Sequence, residues 1–124
     1  MLLVPNGINS IGDYTFYHCT SLKTIVIPDK VSKIGNSVFT GCTSLESIVI
    51  PKDVASIGNT SFYNMSILHD IYYCGNSSEW EKISIGNNNG FLTDYATIYY
   101  YSEEEPTESG NYWYYVDGVP AVWS

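Results

Sequence analysis

The stretch Ile11–Pro28, IGDYTFYHCTSLKTIVIP, returns as IGNSVFTGCTSLESIVIP at Ile34–Pro51. Both copies carry Ile-Gly, Phe, Cys-Thr-Ser-Leu and Ile-Val-Ile-Pro at the same spacing, and the offset between them is 23 residues. A more diverged copy begins at Ile57, another 23 residues along the chain, and keeps the Ile-Gly, Phe and Leu elements. The sequence therefore indicates a fold that stacks copies of one short unit.

A period of this length is typical of a leucine-rich-repeat solenoid, in which each unit adds one coil. Ile25-Val26-Ile27 is a β-branched run that favours a strand, and Pro28 ends it because proline cannot donate to a ladder. We therefore predict an α/β solenoid: a right-handed leucine-rich-repeat coil with a parallel β-sheet on one face, irregular or short helical turns on the other, and a C-terminal capping coil. The equivalent strands are Leu2–Val4, Ile48–Ile50 and Ile71–Tyr73.

The other half of each unit spaces its apolar residues five, three and three apart, as in Ile11, Phe16, Cys19 and Leu22. This spacing suits an irregular helical turn whose side chains point into the interior. A glycine precedes each turn, and we expect it either to take a positive φ or to let neighbouring coils approach closely. These glycines are Gly12, Gly35 and Gly58.

The chain after the third copy predicts a cap, a linker and a hairpin. Asn76-Ser77-Ser78 can cap a short helix beginning near Glu79, and residues 96–100 supply a final strand. Residues 102–110, SEEEPTESG, lack apolar side chains and indicate an acidic flexible linker. Asp117-Gly118 lies between two β-prone runs and predicts a two-residue hairpin. The predicted organisation is a half repeat at 1–5, repeats at about 6–28, 29–51 and 52–74, a capping repeat at 75–101 (together a leucine-rich-repeat domain, 1–101), an acidic linker at 102–111 and an aromatic hairpin tail at 112–124.

The repeated elements resemble the BspA-like leucine-rich repeats of cell-surface proteins from gut and oral bacteria and from some parasitic protists. The matching elements cover roughly residues 2–74, and the stretch from Tyr72 to Tyr100 looks like the terminal repeat of such arrays. The resemblance implies a C-terminal fragment of a longer array. It also implies an adhesin or interaction module, without fixed ligand-binding residues that carry over.

Composition excludes several classes of partner. The formal net charge is −8, and the five lysines are dispersed with no arginine among them, so nucleic acid and anionic membranes are not expected partners. No run of 18 apolar residues is present, so we predict no membrane span. We expect an export signal upstream of Met1 and a location outside the cell or on a bacterial surface.

No arrangement of residues predicts catalysis. Cys19 and Cys42 lie one repeat apart, which allows either a disulfide or a row of buried thiols, and Cys74 has no sequence partner. His18 with these cysteines matches no zinc spacing. The carboxylates lie in loops, the linker and the capping helix rather than across a cleft. We therefore predict no enzyme activity, no cofactor and no metal site.

The outward face of the sheet is the predicted binding surface, because alternation places two rows of side chains on it. Aliphatic and aromatic side chains on such a face suit a protein or glycan partner. The alternative is that they reflect strand propensity alone. The rows are Thr24, Ser47, Asp70 and Thr97, and then Val26, Val49, Tyr72 and Tyr99.

The tail offers a second surface through Trp113, Tyr115 and Trp123, which either dock on the repeats or face a partner. Its aromatic hairpin is vaguely similar to repeats that bind choline or cell-wall polymers. The resulting hypothesis is an adhesin-like, non-catalytic interaction module. The alternatives are a spacer or cap of a longer array, and cell-wall attachment through the hairpin. An exposed edge at Leu2–Val4 further predicts self-association at high concentration.

Overall fold

A computed structural model describes residues 4–123 and contains two sheets that run along the repeats. The larger sheet has six strands in the spatial order β10-β9-β8-β6-β4-β2, and the smaller has four in the order β1-β3-β5-β7. Each full repeat contributes one strand to each sheet, and repeat strands pair in parallel. The larger sheet comprises β2 (Thr24–Val26), β4 (Ser47–Ile50), β6 (Asp70–Tyr73), β8 (Thr97–Tyr101), β9 (Tyr112–Val116) and β10 (Val119–Val122); the smaller comprises β1 (Ser10–Ile11), β3 (Lys33–Ile34), β5 (Ser56–Ile57) and β7 (Ser84–Ile85).

The predicted parallel sheet is confirmed over the described repeats, and the fold is solenoid-like. β4 and β6 contain the predicted runs Ile48–Ile50 and Ile71–Tyr73, whereas β8 begins and ends one residue later than predicted. The predicted strand at Leu2–Val4, and the self-association through its edge, rest on Leu2 and Leu3, which lie outside the described range; Val4 lies within it and belongs to no strand.

Helical turns are scarcer than predicted. Within residues 4–123 the helical elements are α1 (Ser77–Glu81) and a π-helical turn (Phe91–Tyr95). The reason is that turn amides bond between coils: Phe16 N–H donates to Val38 O at 3.1 Å and His18 N–H to Thr40 O at 2.8 Å. These bonds satisfy the backbone without a helix and leave room for the smaller sheet, which the sequence did not predict.

A ladder of side chains holds the coils in register beside the smaller sheet. The Asp13 carboxylate accepts from Asn36 N–H, the Asn36 amide oxygen from Asn59 N–H, and the Asn59 amide oxygen from Asn87 N–H, each at 2.8 Å. The residue after each ladder position has a left-handed φ, from 54° to 62°. Of these four residues only Asn88 is of a type that readily takes this conformation, which turns the chain after each rung.

The repeated glycines serve close approach between coils, and the alternative of a positive φ is wrong. A Cβ on Gly58 would lie 2.5 Å from Gly35 O, and one on Gly35 would lie 2.9 Å from Asp13 N. Gly12 has no such neighbour among the described residues, since its Cβ would meet Thr15 Oγ1 at 3.9 Å. The left-handed positions fall elsewhere in the repeat, including His18, Gly41 and Asn64.

The interior is a set of stacked apolar rows, as the repeat predicts. Phe16 stacks on Phe39 at 5.6 Å and Phe39 packs on Phe62 at 5.3 Å between ring centroids. Asn89 stands next in this row, because it precedes Ile98 by the nine residues that separate Phe62 from Ile71. It is 3% exposed, accepts from Phe62 N–H at 2.8 Å and donates to Gly58 O and Gly86 O. The Asn89 side chain thus ends the phenylalanine row and gives the backbone groups around it hydrogen-bond partners.

The C-terminal elements close this end of the repeats. Asn76 caps α1 with a reciprocal capping box: it accepts from Glu79 N–H, and the Glu79 carboxylate accepts from Asn76 N–H. Trp80 packs against the core at the ring of Tyr73, 5.1 Å away, and Ile83 is buried. Residues 102–111 form no helix or strand. Asp117 and Gly118 both have left-handed φ, as the hairpin prediction requires.

Candidate interaction surface

The outward face of the larger sheet carries both rows of predicted binding residues. Parallel pairing of β2, β4, β6 and β8 sets the members of each row side by side. Seven of the eight side chains are half-buried, and Val49 is 4% exposed. The face is therefore covered to a degree that strand alternation alone did not predict, and what covers it is the C-terminal hairpin.

The hairpin crosses this face and is anchored by Trp113. β9 pairs with β8 at Tyr100↔Tyr112 and Tyr101↔Trp113, and continues from there over the sheet. Trp113 is fully buried, with its ring centroid 5.4 Å from that of Tyr72. Its indole N–H donates to Tyr73 O at 2.7 Å, so the anchor is both apolar and hydrogen-bonded.

Under the hairpin tip lies a groove of about 180 Å³. The expectation that Val49 is exposed is wrong, because the tip stands over its part of the sheet and shields it from solvent. Val26 and Tyr72 stay half-buried beside it, so the groove presents mainly apolar surface. The lining is Thr24, Ile25, Val26, Ser47, Val49 and Tyr72 from the sheet, with Gly118, Val119 and Pro120 from the tip; we call this the sheet–hairpin groove.

The three aromatic residues of the tail have different surroundings. Trp113 docks on the repeats, one of the two predicted alternatives, and it is not a surface residue, because the sheet and the rings of Tyr72, Tyr101 and Tyr115 enclose it. Tyr115 is exposed. Trp123 is half-buried, stacks on Tyr114 at 4.1 Å and donates its indole N–H to Ser102 O at 2.8 Å. Trp113 and Trp123 thus fasten the hairpin.

One polar cluster borders the groove at Asp70. The Asp70 carboxylate accepts from the Tyr72 hydroxyl at 3.4 Å and lies 3.0 Å from His69 Nδ1. Burial first, and then the Asp70 charge, raise the pKa of Tyr72 to about 12. Burial and Asp70 also raise the pKa of Tyr99. Both hydroxyls are therefore protonated donors at neutral pH, beside one carboxylate.

The cysteines are free thiols in the structure. Cys42 is buried and its Sγ donates to Phe16 O at 3.1 Å, and burial raises its pKa to about 11. Burial also raises the pKa of Cys74 to about 12. Thiols with raised pKa values are poor nucleophiles, which agrees with small apolar residues in a packed row.

Over residues 4–123, His, Cys, Asp and Glu form no group of three that could hold a metal ion. His18 lies against the ring of Tyr17, 4.1 Å between centroids, on the exposed side of a turn. In the same part of the chain no helix has the length and apolar character to cross a membrane.

Sequence reasoning did not include the hairpin tip in the site. Gly118, Val119 and Pro120 follow a recognisable Asp-Gly turn, but nothing in the repeat relates them to Thr24 or Val26, about a hundred residues earlier. The available signal was the density of aromatic residues in β9, since an isolated hairpin is only marginally stable and has to pack on something.

Comparison with known proteins agrees with the geometry. Residues 2–96 match a protein-family model described as BspA type Leucine rich repeat region, in six copies. No curated protein and no solved structure matches the chain.

Proposed function

The chain belongs to the BspA-type leucine-rich-repeat family, and on this premise we propose that it is a non-catalytic, adhesin-like module that binds a protein through the sheet–hairpin groove. Repeats of this type typically mediate protein interaction, and they are typical of bacterial surface proteins. We place the module in a secreted or surface-anchored bacterial protein. The observation that carries the proposal is an apolar groove with walls from two distant parts of the chain.

The size and lining of the groove suit one apolar side chain of the partner. A volume of about 180 Å³ is close to that of an apolar cavity that holds one benzene-sized group. Val26 and Tyr72 line the groove from the sheet and Val119 and Pro120 from the hairpin tip, while Thr24 adds a polar side chain to the lining. An anchor side chain in a desolvated pocket with a polar rim is the usual centre of a protein interface.

Charge favours a partner that carries lysine or arginine beside that anchor. The chain has 13 acidic residues against five lysines. Asp70 stands next to Tyr72 in the sheet, and Asp117 precedes the lining residue Gly118. Opposite charges at the rim speed encounter and fix the orientation of the partner.

The groove is formed before a partner arrives. Trp113 and Trp123 bond to backbone carbonyls and hold the hairpin in place. Binding therefore does not have to order the tail, which removes one of the usual entropic costs of association.

The test is selection of peptides from a random library on the immobilised chain. We expect selected peptides to share an aromatic or branched aliphatic residue next to Lys or Arg. Val26→Asp should weaken their binding by roughly tenfold or more, because it places a charge in the groove lining. Ile67→Asp, at an exposed residue outside the groove, is the matched control and should bind like wild type. Peptides without an apolar anchor, or binding equally well to Val26→Asp, would contradict the proposal.

A terminal cap of a longer repeat array is a second candidate role, and it is compatible with binding. The supporting observation is Asn89, which ends the phenylalanine row. Its side-chain amide hydrogen-bonds to the backbone of the preceding coil at Phe62 and Gly58. Cell-wall attachment through the hairpin has less support, because the buried Trp113 cannot offer its ring to a ligand.

A further inference from the structure

We propose that the C-terminal coil carries a second binding site, a groove for a neutral saccharide lined by Tyr63 and Tyr95. The groove has a volume of about 560 Å³, within the range of small-molecule sites. It shares no lining residue with the sheet–hairpin groove and is therefore a separate surface. The lining is Tyr63, Ile85, Gly86, Asn87, Asn88, Asn89, Gly90, Phe91, Thr93, Asp94 and Tyr95.

Tyr95 breaks the repeat in a way that packing does not explain. It precedes Ile98 by three residues, as Leu45 precedes Ile48 and Leu68 precedes Ile71. Those leucines are buried, whereas Tyr95 is 75% exposed. Tyr95 is the last residue of the π-helical turn Phe91–Tyr95. Exposing a ring at a core position forfeits apolar burial.

Two exposed tyrosines line the groove. Tyr63 is 51% exposed, and Phe91 supports Tyr95, with ring centroids 5.4 Å apart. A supported ring keeps its orientation and offers a large contact area at low entropic cost. The axial C–H groups of a pyranose form an apolar face that packs on such rings.

The polar residues of the lining match the hydroxyl groups of a sugar. Within the described residues the side-chain amides of Asn87 and Asn88 have no hydrogen-bond partner. Each amide offers both donors and an acceptor, the pattern that pairs with vicinal hydroxyls. Asp94 adds a carboxylate that already accepts from the Thr93 hydroxyl at 3.2 Å.

The charge of the groove disfavours an anionic ligand. The lining contains no lysine, arginine or histidine, and it includes Asp94. A phosphate or carboxylate ligand would meet a carboxylate without a cation to offset it, within a chain of net charge −8. A neutral oligosaccharide avoids this repulsion.

The experiment applies the full chain to an array of neutral oligosaccharides, each printed beside its sialylated form. We expect binding to at least one neutral structure and weaker binding to its sialylated form. Tyr95→Ala should weaken that binding by roughly tenfold or more, because it removes an exposed platform without disturbing the core. Tyr14→Ala, at another exposed tyrosine outside the groove, should bind like wild type.

Several outcomes would overturn this proposal: no binding to any printed structure, equal binding by Tyr95→Ala, or a preference for sialylated forms. The result is independent of the peptide-binding proposal. Val26→Asp should weaken only the peptide binding and leave saccharide binding unchanged, whereas Tyr95→Ala should do the reverse.

Discussion

The indole N–H of Trp113 donates to the main-chain carbonyl of Tyr73 at 2.7 Å, joining the tail to the end of a central strand. The two residues are 40 positions apart, and their bond is buried. It closes the hairpin over the sheet and turns an open face into a groove. The geometry of the candidate site therefore depends on this buried anchor, together with the second hydrogen bond from Trp123 to Ser102 O.

Removing that anchor should free the hairpin. Trp113→Ala should lower the free energy of unfolding by about 3–5 kcal/mol, the range found when a buried large aromatic side chain is truncated to alanine. Chemical denaturation measures this loss, and hydrogen exchange at Val49 should rise as its cover leaves. Val119→Ala, at an exposed tip residue, should change stability by less than about 0.5 kcal/mol. Unchanged exchange at Val49 would show that the hairpin stays in place without its anchor.

Close packing between coils predicts a sharp difference between two glycines. Gly58→Ala should destabilise the fold by about 2 kcal/mol or more, because the new Cβ would lie 2.5 Å from Gly35 O, a backbone atom that cannot swing aside. Gly12→Ala is the matched control and should be nearly neutral, since its Cβ meets only Thr15 Oγ1 at 3.9 Å. Thermal or urea unfolding compares the two. Equal effects would mean that the glycines do not serve coil contact.

The buried amide at the end of the phenylalanine row should be costly to remove. Asn89→Ala leaves Phe62 N–H, Gly58 O and Gly86 O without their partner, which should cost about 3 kcal/mol. Asn87→Ala removes an exposed side chain from the same loop and should cost less than about 0.5 kcal/mol. Denaturant titration of both variants tests this, and a stable Asn89→Ala protein would rule out the capping role.

Alkaline pH should weaken the fold through the buried tyrosines. Burial, and after it the negative charge of Glu79, raise the pKa of Tyr73 to about 12, from an unfolded value near 10. A folded pKa above the unfolded one means that the folded state holds the proton more tightly. This contribution is complete below about pH 10 and is lost as pH rises towards 12.

Urea unfolding at stepped pH measures the alkaline effect. Tyr73→Phe cannot ionise, so its stability should fall less steeply than that of wild type over this window. A wild-type stability independent of pH between 10 and 12, or an equal slope in the variant, would contradict the assignment.

Much of the fold follows from local pattern. The β-branched run at Ile48–Ile50 predicts β4, Asn76 predicts the cap of α1, and Asp117-Gly118 predicts the hairpin turn. Each of these rests on the conformational preference of the residues themselves. The smaller sheet escaped prediction because its strands are two residues long and exist only through pairing with the neighbouring coil.

The candidate sites also combine features that local sequence pattern predicts with features that depend on tertiary contacts. Alternation identified Val26 and Tyr72 as outward-facing, but it could not predict that the hairpin tip would cover Val49. Tyr95 could have been recognised by counting back from Ile98 to the leucine position. Its exposure depends on the π-helical turn, which the sequence pattern did not indicate.

The sequence alone determined the family, the repeat and the side chains of its core. The reason is that a 23-residue period places apolar residues at the same buried positions in successive coils. The tertiary structure alone decided where the tail lies and which surface stays accessible. The physical reason is that Trp113 gains its burial and its hydrogen bond from Tyr72 and Tyr73, residues far away in the chain and unrelated to it by any local pattern.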